Sequence, residues 1–212
     1  MECKVHHIRF ITESVFVLRF DRNELAFRSG QHILAGIHGK NDQREYSIYS
    51  GEEDDFFEIL VKIVEKPSVS LALSQLKSGD LLEIEKPMGF FGIPKDALDK
   101  KFLFIANGTG IAPFHSFIRS YPALDYQIIH GIRYMNEAYD QEVYAKGRYI
   151  SCVTNDSNGH YQGRVTEYLK QYPLLENRLV YLCGNSQMIN DVKTILTQQG
   201  FNPAQMFNEI YF

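Results

Sequence analysis

Three short segments of this chain carry residue types that could do chemistry. Asn107-Gly108-Thr109-Gly110-Ile111-Ala112-Pro113 follows a continuous apolar run, Phe102–Ala106, and precedes a helical stretch. Glycines let backbone approach a ligand closely, and the amides at a helix start favour phosphate. Pro113 suits a first helical turn. The turn is not the G-x-G-x-x-G dinucleotide fingerprint, and alone it reads equally as a reversal that the chain must make. Cys183-Gly184-Asn185 closes a second apolar run, Leu179–Leu182. Ligands of parallel sheets bind beyond the carboxyl ends of strands, where such a turn would lie. By itself Cys183 reads as a small buried residue before a turn. The third segment, Arg44-Glu45-Tyr46-Ser47, joins a guanidinium, a phenol and a hydroxyl. In isolation it reads as an exposed strand with a surface ion pair.

The elements that must position these segments fall into two rhythms. Residues 1 to about 95 read as short strands, with β-branched and aromatic runs at 15–20, 56–64 and 81–85. Turns fall at Ser29-Gly30, His38–Asn41, Gly51 and Ser78–Asp80. One helix interrupts them, capped by Ser68-Val69-Ser70, with Leu71, Leu73 and Leu76 as its apolar positions. Such spacing predicts a barrel or sandwich. From residue 102 onward, strands at 102–106, 127–131, 149–153 and 179–183 alternate with helices through Arg119, near 136–146 and ending near Gly200. Alternation of this kind predicts a doubly wound parallel sheet. The expected boundary lies within 93–101, giving domains 1–97 and 98–212.

Composition narrows the classes. The chain has 212 residues, 44% hydrophobic and 23% charged, so it can bury a core without staples. No apolar run approaches the ~18 residues of a membrane span, and the N-terminus lacks a signal-peptide stretch. Cys3, Cys152 and Cys183 are widely spaced with no CxxC pair. A disulfide framework, a cysteine-built metal site and an iron–sulfur centre are not expected, and a reducing cytoplasm fits. A net charge of −4 with no basic block disfavours nucleic acid.

Taken in order, the segments resemble the ferredoxin/flavodoxin–NADP⁺ reductase family of bacterial type, along nearly the whole chain. Its pattern of R-x-Y-S, a short helix, G-T-G-x-A-P, a C-G turn and an acidic–aromatic ending is met here in sequence. The resemblance implies an antiparallel β-barrel domain for FAD, followed by an α/β domain for a nicotinamide nucleotide. It implies that Arg44 neutralises an FAD phosphate, that Tyr46 lies against the flavin, and that Ser47 hydrogen-bonds the N5 region. Ser68, Val69 and Ser70 would meet the FAD pyrophosphate, with Pro67 standing where the family has glycine. Gly89-Phe90-Phe91-Gly92 is similar to the segment that closes the flavin domain.

The same resemblance implies that Gly108, Thr109, Gly110, Pro113, Cys183 and Gly184 shape the nucleotide site, with Cys183 near the reacting nicotinamide carbon. Arg133 and Arg164 would reach the adenosine 2′-phosphate, but Asn155-Asp156 replaces the Arg-Glu of NADPH-preferring members. NADPH is the expected nucleotide and NADH the competitor. Glu209 would move a proton with Ser47, Tyr211 would cover the flavin, and Phe212 the FAD adenine. The alternative for this ending is a docked strand with core aromatics.

The implied activity is hydride transfer between NADPH and flavin, with single electrons passed to or from ferredoxin or flavodoxin by a monomer. A reductase component of an oxygenase and a free flavin reductase are the alternatives within the fold. A non-catalytic nucleotide-binding module is the alternative outside it. Lys62, Lys66, Lys86, Lys95, Lys100 and Lys101 are scattered candidates for carrier docking.

Overall fold

The computed structural model describes residues 1–65, 67–173 and 178–211. Contacts divide the chain into two compact units, Met1–Ile93 with Ala112–Pro122, and Pro94–Ile111 with Ala123–Phe212.

The first unit holds β1 (Glu2–Thr12), β2 (Val15–Asp21), β3 (His32–Ile37), β4 (Gln43–Ser47), β5 (Phe56–Lys62), α1 (Val69–Leu73) and β6 (Leu81–Ile84). Its six strands run in the order β4-β3-β6-β1-β2-β5, each antiparallel to its neighbours. Past β4 the chain bridges Ile48 to Ile59 of β5, and the Tyr49 N–H donates to the Glu58 carbonyl at 2.7 Å. Those bonds join the two outer strands and close the sheet as a barrel, which removes its free edges. Phe16, Leu18 and Phe20 of β2 and Phe57, Ile59 and Val61 of β5 alternate into its core, as a period of two dictates.

A helix from later in the chain, α2 (Ala112–Ser120), packs in this same unit. His115 stacks on Tyr49 with ring centroids 3.7 Å apart, and Ser116 Oγ donates to the Ser50 carbonyl at 2.7 Å. Arg119 pairs with Asp54 at 2.7 Å, and the Tyr121 hydroxyl donates to Glu52 at 2.8 Å. Chain order alone puts this helix in the second half, yet His115, Ser116 and Arg119 each hold a partner in the barrel unit.

The second unit contains β7 (Lys101–Asn107), β8 (Asp125–Ile132), β9 (Tyr149–Val153), β10 (Tyr161–Gln162), α3 (Val165–Gln171), β11 (Leu179–Gly184), α4 (Ser186–Gln198) and β12 (Met206–Ile210). All six strands are parallel, in the order β10-β9-β8-β7-β11-β12. Leu103, Ile105, Ile129 and Leu182 meet Leu169 of α3 and Ile189, Val192 and Leu196 of α4 in one core. Phe102, Phe104 and Tyr181 form an aromatic layer with ring centroids 5.6–6.1 Å apart. The barrel followed by a doubly wound parallel sheet is the architecture that the residue pattern predicts.

One expected element is corrected. The helix near 136–146 is absent, replaced by two short 3₁₀ turns, Met135–Glu137 and Gln141–Val143. Asp140 between them is left-handed at φ 46°, which stops any helix. The buried anchors of this stretch, Tyr139 and Tyr144, are five residues apart and would not share one helical face.

Candidate functional site

In the barrel unit, β4 pairs with β3 in the register Arg44↔Ala35, Tyr46↔Ile33 and Ser47↔His32. Alternation puts Arg44 and Tyr46 on one face and Glu45 and Ser47 on the other. The Arg44 side chain is 65% exposed and pairs with Asp42 at 2.8 Å. An exposed pair of this kind contributes about 0–1 kcal/mol, so the guanidinium is readily exchanged onto another anion. Tyr46 packs partly against the barrel core. Burial pushes its phenol up to about 12, so it stays protonated. Ser47 is buried.

Ser68 caps α1, its Oγ accepting the Leu71 N–H at 3.2 Å. Ser70 Oγ accepts the Val64 N–H at 3.0 Å and lies 3.1 Å from Ser68 Oγ. Both hydroxyls therefore fasten the loop before the helix. The groups left over for an anion are main-chain amides of the first turn, which an α-helix cannot satisfy internally. In the closing segment, Gly89 is left-handed at φ 109°, Phe90 is fully exposed and Phe91 is buried.

In the second unit, the strand order reverses direction at β7 and β11. The chain builds outward from β7 through β8, β9 and β10, then crosses back to β11 and β12 on the other side. That is a topological switch point, and sheets of this kind take ligands beyond the carboxyl ends of the strands at such a point, here β7 and β11. Both glycine turns lie there. Gly108–Ile111 forms a 3₁₀ turn directly after β7, and Cys183-Gly184 ends β11.

The two turns interlock. A methyl group on Gly110 would overlap the Cys183 carbonyl oxygen and stand 2.7 Å from its carbonyl carbon. Gly184, at φ 141°, faces the Asn107 side chain, whose Oδ1 accepts the Asn185 N–H at 3.0 Å. The Asn185 side chain in turn caps α4 through the Met188 N–H.

The C-terminal strand completes this edge. β12 lies parallel to β11 with Cys183 opposite Glu209, and the Tyr211 N–H donates to the Gly184 carbonyl at 2.8 Å. Burial first, then the Glu209 carboxylate, pushes the Cys183 thiol well above its ordinary pKa; Tyr211 beside it works the other way. The thiol is thus a neutral, apolar contact rather than a nucleophile.

Farther along the same edge, Arg133 follows β8 and Arg164 forms the N-cap of α3. The Asn155 N–H donates to the Arg133 carbonyl at 2.8 Å, and the Asp156 carboxylate accepts the Asn158 amide and then the Met135 amide, which lower its pKa in that order.

The structure therefore brings Gly108, Thr109, Gly110, Cys183, Gly184, Glu209 and Tyr211 to the carboxyl ends of the neighbouring strands β7, β11 and β12, while Arg133 follows the end of β8 and Arg164 starts α3. Arg44, Tyr46, Ser47, Ser68, Val69 and Ser70 belong to the barrel unit, and Pro113 is buried with helix α2 of that unit. Phe212 and Lys66 lie outside the described residues. Sequence reasoning passes over Asn107 and its bond to Asn185, because nothing short of the β7–β11 pairing places residues 78 positions apart together.

Comparison with known proteins adds family identity. Residues 2–93 match the oxidoreductase FAD-binding domain family, and residues 104–194 the oxidoreductase NAD-binding domain family. The toluate 1,2-dioxygenase electron transfer component of Pseudomonas putida is 26% identical over 225 residues, covering 98% of this chain and 66% of that protein. The chain thus spans just under two thirds of that relative's length. The ferredoxin–NADP reductase of Azotobacter vinelandii is 28% identical over 239 residues, covering 97% of this chain and 91% of that protein. The ferredoxin NADP⁺ reductase of Neisseria gonorrhoeae, solved with bound FAD and NADP, superposes with a TM-score of 0.89 at 21% identity, over 100% of this chain and 98% of that one.

Proposed function

We propose that this chain, which belongs to the ferredoxin–NADP⁺ reductase family of flavoprotein oxidoreductases, binds FAD on its barrel and a nicotinamide nucleotide at the crevice of its parallel sheet. The observation that carries the reading is the interlocked pair of glycine turns at the β7–β11 switch point, with Cys183, Glu209 and Tyr211 on the same edge. FAD would supply the chemistry that links a two-electron hydride donor to a one-electron carrier.

The residues of the barrel fit that cofactor. Arg44 holds an easily exchanged charge for a phosphate, and its fork geometry suits one. Tyr46 offers a protonated phenol on a half-buried ring, as stacking against an apolar isoalloxazine requires. Ser47 is the buried hydroxyl on the opposite face of the strand and hydrogen-bonds the flavin N5 region. First-turn amides of α1 at Val69 and Ser70, capped by Ser68, take the pyrophosphate. Phe212 is assigned to the adenine on family resemblance alone.

On the nucleotide side, Gly108, Thr109 and Gly110 present main chain to the phosphates, and Pro113 fixes the start of α2. Cys183 and Gly184 line the nicotinamide position, where a neutral sulfur excludes water without competing for hydride. Glu209 serves proton transfer with Ser47, and Tyr211 must yield its place for nicotinamide to stack, a gating step. Arg133 and Arg164 favour a 2′-phosphate, while Asn155 and Asp156 withdraw the further cation that would strengthen it. NADPH is accordingly preferred over NADH by a modest margin.

The carrier is ferredoxin or flavodoxin, bound transiently, and the protein works as a cytoplasmic monomer. No helix among the described residues is long and apolar enough to cross a membrane. The likeness to a dioxygenase electron transfer component favours one second reading, delivery of electrons to an oxygenase. A visible absorption spectrum recorded before and after NADPH addition tests the main proposal. The protein should be yellow, bleach on reduction, and release FAD rather than FMN on denaturation. Colourless protein that takes up no added FAD would end it. Cytochrome c reduction with and without added ferredoxin separates a carrier-dependent enzyme from a free flavin reductase.

A further inference from the structure

One fully buried titratable residue of the second unit has no part in the function proposed above. His130, on β8, has 0% exposure. Its Nε2 lies 2.8 Å from the Gly108 carbonyl oxygen, and its Nδ1 lies 2.8 Å from the Tyr149 hydroxyl. These partners fix the tautomer. A carbonyl oxygen only accepts, so Nε2 carries the hydrogen and donates to Gly108. Burial lowers the imidazole pKa to about 4, so the ring is neutral near pH 7 and Nδ1 is bare. Nδ1 therefore accepts the Tyr149 O–H, and burial keeps that phenol protonated.

The ring is also fixed in place. Tyr149 stacks on Tyr144 at 5.3 Å between centroids, and Tyr139 stands 5.9 Å from the imidazole. Gly108 is the first residue of the glycine turn and is left-handed at φ 52°. The Gly108–Thr109 peptide is planar and trans, so its N–H points opposite to its C=O. With the carbonyl drawn onto a buried histidine, the Thr109 N–H is turned away from the sheet interior. Space is available around the turn: a methyl on Gly108 would meet nothing within 4 Å, and Thr109 is half-exposed. The flipped peptide would instead present a carbonyl oxygen, which repels phosphate.

We infer that His130 is a positioning residue for the nucleotide pyrophosphate, locking through the Gly108 carbonyl the peptide orientation that offers the Thr109 N–H to an anion. This deepens the nucleotide-site reading and rests on it. Tyr149 acts one step behind, holding the tautomer.

Isothermal titration of the FAD-loaded protein with three probes tests the assignment. ADP-ribose and NADP⁺ carry a pyrophosphate, and 2′-AMP does not. His130→Phe removes the donor to Gly108, and a lost hydrogen bond of this type corresponds to roughly tenfold in affinity. The dissociation constants for ADP-ribose and NADP⁺ should rise about tenfold, while that for 2′-AMP and the FAD content stay as in the unaltered protein. His130→Gln, which keeps an N–H donor, should recover most of the loss. Unchanged ADP-ribose binding in His130→Phe, or an equal loss for 2′-AMP, would overturn the assignment. If His130→Phe does not fold, Tyr149→Phe decides. A rise of roughly threefold confined to the pyrophosphate probes upholds the inference, and unaltered binding overturns it. Unaltered protein that bound none of the three probes would refute the nucleotide site itself.

Discussion

Gly110→Ala and Gly108→Ala look alike in sequence, yet the structure makes them very different perturbations. At Gly110 the added methyl overlaps the Cys183 carbonyl oxygen, with the Cys183 carbonyl carbon at 2.7 Å and Gly184 Cα at 2.9 Å. Every one of these is a backbone atom. They belong to β11, a central strand held by β7 on one side and β12 on the other, so they cannot rotate aside. Overpacking costs about 1–3 kcal/mol, and a clash with immobile backbone belongs at the upper end. At roughly 2–4 °C per kcal/mol for a protein of this size, the α/β unit should melt about 6–12 °C lower. At Gly108 nothing lies within 4 Å of the new methyl, and only the left-handed backbone at φ 52° is penalised, by about 1–2 kcal/mol. Its melting point should fall by only about half as much. Thermal denaturation followed by circular dichroism ranks the two. If Gly110→Ala melted within about 2 °C of the unaltered protein, or less severely than Gly108→Ala, the interlocking of the two turns would be refuted.

Four further outcomes are expected. Ser47→Ala should retain FAD and slow flavin reduction by NADPH in rapid-mixing experiments; an unchanged rate would remove Ser47 from the reaction. Arg133→Ala should shift the NADPH/NADH ratio of kcat/KM values toward NADH by roughly tenfold or more for one charge-assisted bond, enough to cancel or reverse a modest preference, and an unaltered ratio would move the 2′-phosphate elsewhere. His130 should make stability depend on pH. Its unfolded imidazole protonates near pH 6.5 and its folded one only near 4, so the unfolded state binds the extra proton between them. Stability should fall by about 3 kcal/mol as the pH drops through that window, and urea midpoints of His130→Gln should lack this component. Burial raises Cys3 to about 11 and Cys152 to about 12, and Cys183 also upward, so a thiol reagent at pH 8 should find no fast-reacting group until the protein unfolds.

Much of this organisation was legible in the residues. The strands at β2, β5, β7, β9 and β11 follow from β-branched and apolar runs, because a strand buried on one or both faces declares its period locally. Ser68 as the cap of α1 is likewise local, a hydroxyl within reach of its own helix amides. Where expectation failed, at 136–146, a polar stretch with fair helix formers gave way to Asp140 in a left-handed conformation and to Tyr139 and Tyr144 seeking the core. Tertiary burial outweighed intrinsic propensity there, as it commonly does.

The sequence by itself determined which residue types sit at strand ends and turns, since Arg44–Ser47, Gly108–Gly110 and Cys183-Gly184 are each set by local spacing. Only the tertiary structure decided what those residues face. Strand order made β7 and β11 neighbours at a switch point, parallel pairing set Glu209 opposite Cys183, and α2 was placed in the barrel unit although β7 of the other unit leads directly into it. The hydrogen bond from His130 to Gly108 spans 22 residues, and that from Asn185 to Asn107 spans 78. Such contacts follow from which strands become neighbours, a choice made by the burial of whole sheet faces and visible in no short stretch of sequence.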